Sequence, residues 1–204
     1  MVTRAKTKPR RSQAERRAET QDRLLRATVS MLVEQGFVAL SAAAVAARAG
    51  VSQGAMQHYY PTKVALVKAA LERIVERYVA DVQAEVGPLP PGAGRFEALL
   101  DLLWEVHNLP ISRALLELYA VAHNDVDVAD VAAMMANLAT TAVSDLAGEL
   151  VPDVAARDGF HEWLLTTLAT LRGTALLAVP GAEQTHLDWP TLRDRLTASL
   201  PSPP

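Results

Sequence analysis

The first residues to recur with a helical period are Leu24, Leu25, Thr28, Met31 and Leu32, and they predict a helix from about Gln13 to Gln35, with Gly36 at its C-terminal stop. Phe37 and Leu40 then anchor a turn. Ser41 is placed to N-cap a second helix, "AAAVAARA", whose alanines combine high helix propensity with little bulk and so let another helix approach closely. Gly50 ends it. Ser52 caps a third helix, a short one, because Pro61 bars the α conformation at Tyr60 and brings no amide of its own. Three positions after the two serines stand Ala44 and Ala55, so no reciprocal capping box is expected at either.

From Thr62 a long helix is predicted, with Val67, Leu71, Ile74, Tyr78, Val82 and Val86 on one stripe. "GPLPPGAG", residues 87–94, breaks it. Further helical patterns cover about 95–108, 111–123, 126–150, 158–179 and 190–200, punctuated by Pro, Gly and Asp. No segment alternates as a strand does. The expectation is an all-α chain in which a three-helix head, residues 14–62, follows a basic flexible arm, residues 1–13. A long helix then joins the head to an antiparallel helical body within residues 63–204.

Composition removes several chemistries. A chain of 204 residues, half of them apolar and none of them Cys, has material for a sizeable core but none for disulfides, thiol nucleophiles, Cys-ligated zinc or iron–sulfur clusters. The basic start, "MVTRAKTKPRRSQAERRAE", is followed by no apolar segment of a signal peptide, and no later run reaches the roughly 18 apolar residues of a membrane helix. A soluble, cytoplasmic protein is expected. The net charge of −3 hides a split: residues 1–68 carry 12 Lys or Arg against 4 Asp or Glu, and the remainder carries 8 against 19. A basic segment joined to an acidic body suits a module that meets phosphate while its neighbour does not.

The stretch "AGVSQGAMQHYYPTK", residues 49–63, joins the two short helices into a helix-turn-helix. Ala46 leaves room for the crossing, Gly50 permits the turn, and Val51 with Met56 can plug the angle between the helices. The other side chains then face outward. The second helix of such a unit enters the major groove, where Gln53 and Gln57, four apart on one face, have the paired donor and acceptor that adenine requires. Gly54 would let the backbone come close to a duplex, and His58 lies among these outward residues.

This region resembles the head of the TetR family of bacterial transcriptional regulators, with its pattern "T..IA..AGVS.G.LY.HF..K..L". The matching residues are Ser41, Val45, Ala46, Ala49, Gly50, Val51, Ser52, Gly54, Met56, Tyr60, Lys63 and Leu66, and the resemblance covers about residues 15–68. It implies that Gln53, Ala55 and Tyr59 face bases while Ser41, Ser52, Gln57 and Lys63 address phosphates. Gln57 replaces the tyrosine common in the family, and Tyr59 and Tyr60 replace His and Phe. Tyr60, beside Pro61, is assigned to the core.

For the body the resemblance implies a small-molecule pocket in the middle helices and a homodimer made by the last two. The candidate pocket residues are Trp104, His107, Asn108, Tyr119, His123, Met134, Asn137, Thr140 and Thr141. The helix over 158–179 carries an apolar stripe through Leu164, Leu168, Leu171 and Ala175, assigned to the dimer interface; the alternative is an interior helix of one subunit.

No catalytic constellation is present. "HEWLL", from His161, has Leu165 where a zinc-protease helix needs its second His, so neither metal nor cofactor is expected. The function expected is therefore that of a sequence-specific DNA-binding regulator, a repressor released from a palindromic operator by a small-molecule effector. The alternative is an all-α binding protein or enzyme with an incidental basic head.

Overall fold

A computed structural model of the chain describes residues 12–203. Helix α1, Gln13–Ala39, opens on Ser12, whose hydroxyl accepts the Glu15 amide at 3.1 Å while Oε2 of Glu15 accepts the Ser12 amide at 2.7 Å. This capping box fixes two residues that the sequence assigned to a flexible arm; the other arm positions, residues 1–11, lie outside the described residues. The helix is interrupted at Gly36, where the sequence places its stop. It kinks there, with φ 72° and ψ 176°, and resumes to Ala39, so that Phe37 and Leu40 fold back into the core.

Helices α2 (Ala42–Ala49) and α3 (Gln53–Tyr59) follow, each with the serine cap expected and neither with a capping box. The long α4, Lys63–Val86, is capped by Thr62, whose hydroxyl accepts the Ala65 amide at 3.0 Å. The body comprises α5 (Ala93–Asn108), α6 (Pro110–Ala122), α7 (Val126–Leu150), a single turn α8 (Pro152–Ala155), α9 (Phe160–Leu177) and α10 (Trp189–Ala198). Proline stands at the start of α6, α8 and α10, where its missing amide costs nothing; α6 therefore begins one residue before the sequence pattern, and α8 was hidden by its shortness. Among the described residues there is no strand, and the all-α expectation holds. Nor, among them, is any helix long and apolar enough to cross a membrane.

Two cores share α4. The first gathers Leu24, Met31, Phe37, Val45, Met56 and the N-terminal half of α4, and continues into Ile111 and Leu118 of α6 and Val128 and Met135 of α7. The second joins Val82 and Val86 of α4 to Phe96, Leu100, Trp163, Leu164, Leu168 and Leu192. Ile74 and Tyr78 mark the gap between them and are only half-buried. Because α6 belongs to the first core, the head and the body share packed side chains across the chain's length.

Candidate nucleic-acid interface and body cavity

The turn between α2 and α3 is built by Gly50. Its left-handed backbone (φ 64°, ψ 39°) lets its own amide reach the carbonyls of Ala46 and Ala47, and the Val51 amide reaches that of Ala46 at 3.0 Å. Met56 fills the angle below, buried to 1 % exposure, and Val51 packs beside it. With the inner face so filled, Ser52, Gln53, Gly54, Gln57 and His58 stand in solvent, and Ala55 and Tyr59 are half-exposed. The His58 and Tyr59 rings meet edge to face, 5.3 Å apart.

The hydroxyls of Ser41 and Ser52 accept the amides of Ala44 and Ala55 at 3.2 and 3.1 Å, and each keeps its own O–H to donate outward. Gly54 has no packing reason to be glycine: a β-carbon there would meet nothing within 4 Å. A glycine inside a helix costs about 1 kcal/mol relative to Ala, and no close packing among the described residues offsets that here.

Lys63 is more constrained than its sequence position implies. Its Nζ lies 4.0 Å from the centre of the Phe37 ring and donates to the Val38 carbonyl at 3.5 Å, closing the end of α1. Burial pushes its pKa down, and Asp125, across the α6–α7 turn, opposes that. Tyr60 is core, as expected; burial raises its pKa, against the influence of Arg73 and Gln21.

In the body, a cavity of about 120 Å³ opens between α5, α6, α7 and α9. Leu103, Val106, Leu115, Leu116, Met135 and Ala139 give it apolar walls, and His107, Ser112, Tyr119 and Arg172 are its polar groups. His107 Nδ1 donates to the Leu103 carbonyl at 2.7 Å, which leaves Nε2 as the ring's lone pair. Burial pushes the His107 pKa down; the Leu103 carbonyl works against this, and the charge of Arg172 adds to it. Burial likewise raises the Tyr119 pKa, with Arg172 opposing.

Residues 24–70 match the family described as bacterial regulatory proteins, tetR family. The regulator CymR of Pseudomonas putida is 38 % identical over 92 residues, which are 45 % of this chain and 45 % of CymR. The repressor KstR of Rhodococcus jostii is 34 % identical over 88 residues, 43 % of this chain and 39 % of KstR. The chain thus spans less than half the length of these two curated relatives. Along nearly its whole length it superposes on the multidrug binding protein EbrR, with a TM-score of 0.67, 27 % identity, and coverage of 97 % of this chain and 99 % of that one. Residues 24–70 thus carry the head of the TetR family.

Within the body the structure corrects two assignments. Of the expected pocket residues only His107 and Tyr119 line the cavity. Trp104 is stacked on Trp189, 4.9 Å between ring centres, and that indole donates to Asp101 at 2.7 Å, so Trp104 fastens α10 to α5. Asn108 spends its amide on the Trp104 carbonyl at 2.8 Å. Met134 packs against the first core, one position around the helix from Met135, which belongs to that core and also reaches the cavity. His123 and Asn137 are exposed, Thr140 is half-buried outside the cavity lining, and Thr141 faces an open acidic groove between α4 and α7.

The second correction concerns α9. Leu164, Leu168, Leu171 and Ala175 are 2 %, 1 %, 0 % and 4 % exposed in the single chain, so they are interior residues of one subunit and cannot be covered by another. The opposite face of the helix is the open one: Leu165 and Leu176 are 45 % and 59 % exposed, with Ala169 and Gly173 between them. A β-carbon at Gly173 would meet nothing within 4 Å.

Arg172 and Ser112 were not foreseen. The signal for Arg172 lies in "TTLATLRGTALL", where one guanidinium interrupts an otherwise uncharged half-helix.

Proposed function

We propose that this protein is a homodimeric TetR-family regulator that binds a palindromic DNA operator through α3 and leaves it when a small molecule enters the body cavity. The observation that carries the reading is the outer face of α3, where exposed Gln53 and Gln57 flank a glycine that the fold itself does not require. In the major groove, Gln53 with Ala55 and Tyr59 would meet base edges. Ser41, Ser52 and Gln57 would donate to phosphates, His58 would lie at the groove edge, and Lys63 would contribute what its contact with the α1 terminus leaves free.

The face of α9 that stays largely open among the described residues supports the dimer. Leu165, Ala169, Gly173 and Leu176 form an apolar strip whose small members would let a second helix approach. Two heads held by such a dimer meet two half-sites, which is why the operator would be two-fold symmetric.

Helix α6 provides the coupling. Its residues Ser112, Leu115, Leu116 and Tyr119 line the cavity, while Ile111 and Leu118, on the neighbouring face, are buried in the core that holds α1. A ligand that fits the cavity better in one head spacing than another shifts the population toward that spacing, and by no more than its difference in affinity. EbrR, described as a multidrug binding protein, and KstR, described as a repressor, accord with effector binding and with repression respectively.

The test is a salt series on duplex binding by the wild type and two variants. Gln53→Ala should lose about 1–3 kcal/mol of discrimination at one base pair per half-site, and Lys63→Ala should weaken all duplexes alike. Equal losses on specific and random DNA for both variants would remove α3 as the reading element.

A further inference from the structure

The polar complement of the cavity is unbalanced. Arg172 brings a guanidinium, stands half-buried in an apolar wall, and makes no hydrogen bond or ion pair among the described residues. The Tyr119 hydroxyl, in the same wall, has no hydrogen-bond partner among them either. The other two polar groups have spent their protons: Ser112 donates its hydroxyl to the Val106 carbonyl, and His107 donates Nδ1–H to Leu103. Two unused donors, one of them cationic, thus face a space with no carboxylate in its lining.

A guanidinium left without a counter-charge in apolar surroundings is unfavourable, and a ligand anion relieves it. The size of the space limits the rest of the ligand. An apolar cavity of about 150 Å³ accommodates benzene, and this one measures about 120 Å³.

From this geometry we propose that the effector is a small monocarboxylate with an apolar body no larger than a benzene ring, its carboxylate held by the Arg172 guanidinium and the Tyr119 hydroxyl. The inference rests on the reading of this cavity as the effector site. The carboxylate oxygens accept from both donors, and the apolar body lies against Leu103, Leu115 and Met135. The neutral imidazole of His107 offers only a lone pair and so takes no part in binding the anion.

The test is calorimetry on the full chain with benzoate and hexanoate, each against its uncharged isostere, benzamide or hexanamide. The carboxylates are expected to bind at least about 10-fold more tightly than the amides. Arg172→Gln is expected to abolish that preference while changing amide affinity by no more than about twofold, since removing a charge-assisted contact leaves the apolar contacts in place. Tyr119→Phe should weaken carboxylates alone. Circular dichroism and sedimentation of each variant accompany the titrations. Amides that bind as well as carboxylates would overturn the anion assignment and leave the cavity as an effector site. A wild type that binds none of the four compounds, nor benzene, would overturn the cavity reading and this inference with it. An Arg172→Gln variant that becomes monomeric with its carboxylate preference intact would assign the guanidinium to a subunit contact instead.

Discussion

Glu117 of α6 stands so close to Gly36 of α1 that a β-carbon on that glycine would lie 3.0 Å from its Oε2. The helix that lines the cavity therefore touches the head at the one point where α1 changes direction. Gly36 also has a backbone, φ 72° with ψ 176°, that is open to almost no residue but glycine. Gly36→Ala is expected to destabilise the chain by about 1–3 kcal/mol, read from the urea midpoint at an unchanged slope. A loss below about 0.5 kcal/mol would mean that the kink relaxes without it.

Gly54 should behave in the opposite way. Its site is exposed and empty around the missing β-carbon, and its backbone is helical. Gly54→Ala should therefore raise stability by about 0.4–1 kcal/mol and yet weaken duplex binding, because the added methyl stands where the DNA backbone would approach. Thermal unfolding and fluorescence anisotropy on the same sample separate the two effects. A variant with gained stability and undiminished binding would show that α3 does not come close to DNA at this residue.

The two faces of α9 give a paired test. Leu168→Asp places a charge in the interior and should cost at least about 3 kcal/mol, seen as lost helical signal on mild heating. Leu165→Asp with Leu176→Asp should leave the fold intact and yield monomers on sedimentation. A double variant that stays dimeric would move the subunit contact away from this strip.

Stability should depend on pH through His107. Its ordinary pKa is 6.5 and burial holds the folded value below that, so the unfolded chain binds the proton first as pH falls. The contribution is complete above pH 6.5 and is lost progressively below it. Urea unfolding at pH 7.5 and at pH 5.5 should show a larger loss for the wild type than for His107→Gln. Equal losses would mean that the imidazole is protonated as readily in the folded chain. Tyr119, whose pKa burial raises, stays neutral throughout this window.

Periodicity and caps made the head legible because its signals are local. Ser41, Gly50, Ser52 and Pro61 each act on neighbours within a few residues, and the structure places all four boundaries where they point. The body was legible as helices but not as faces. A stripe such as Leu164, Leu168 and Leu171 states that three side chains share a side, and says nothing about whether that side meets its own chain or another. Met134 and Met135 show the same limit at one residue's resolution, since about 100° of helix rotation separates a residue that only packs against the first core from one that also reaches the cavity wall. Trp104, His123 and Asn137 were chosen for polarity or size alone, and tertiary placement, which local pattern does not encode, decided against them. Arg172 had a signal, a charge within an apolar helix, that chemistry rather than periodicity reveals.

The most direct test is selection of bound duplexes from a random pool, with the footprint of the wild-type protein on the winners. A homodimeric regulator should select a two-fold symmetric site whose half-sites lie about one helical turn apart, roughly 34–36 Å, and whose recovery falls steeply with added salt. Winners without symmetry, or no enrichment over the starting pool, would contradict that reading.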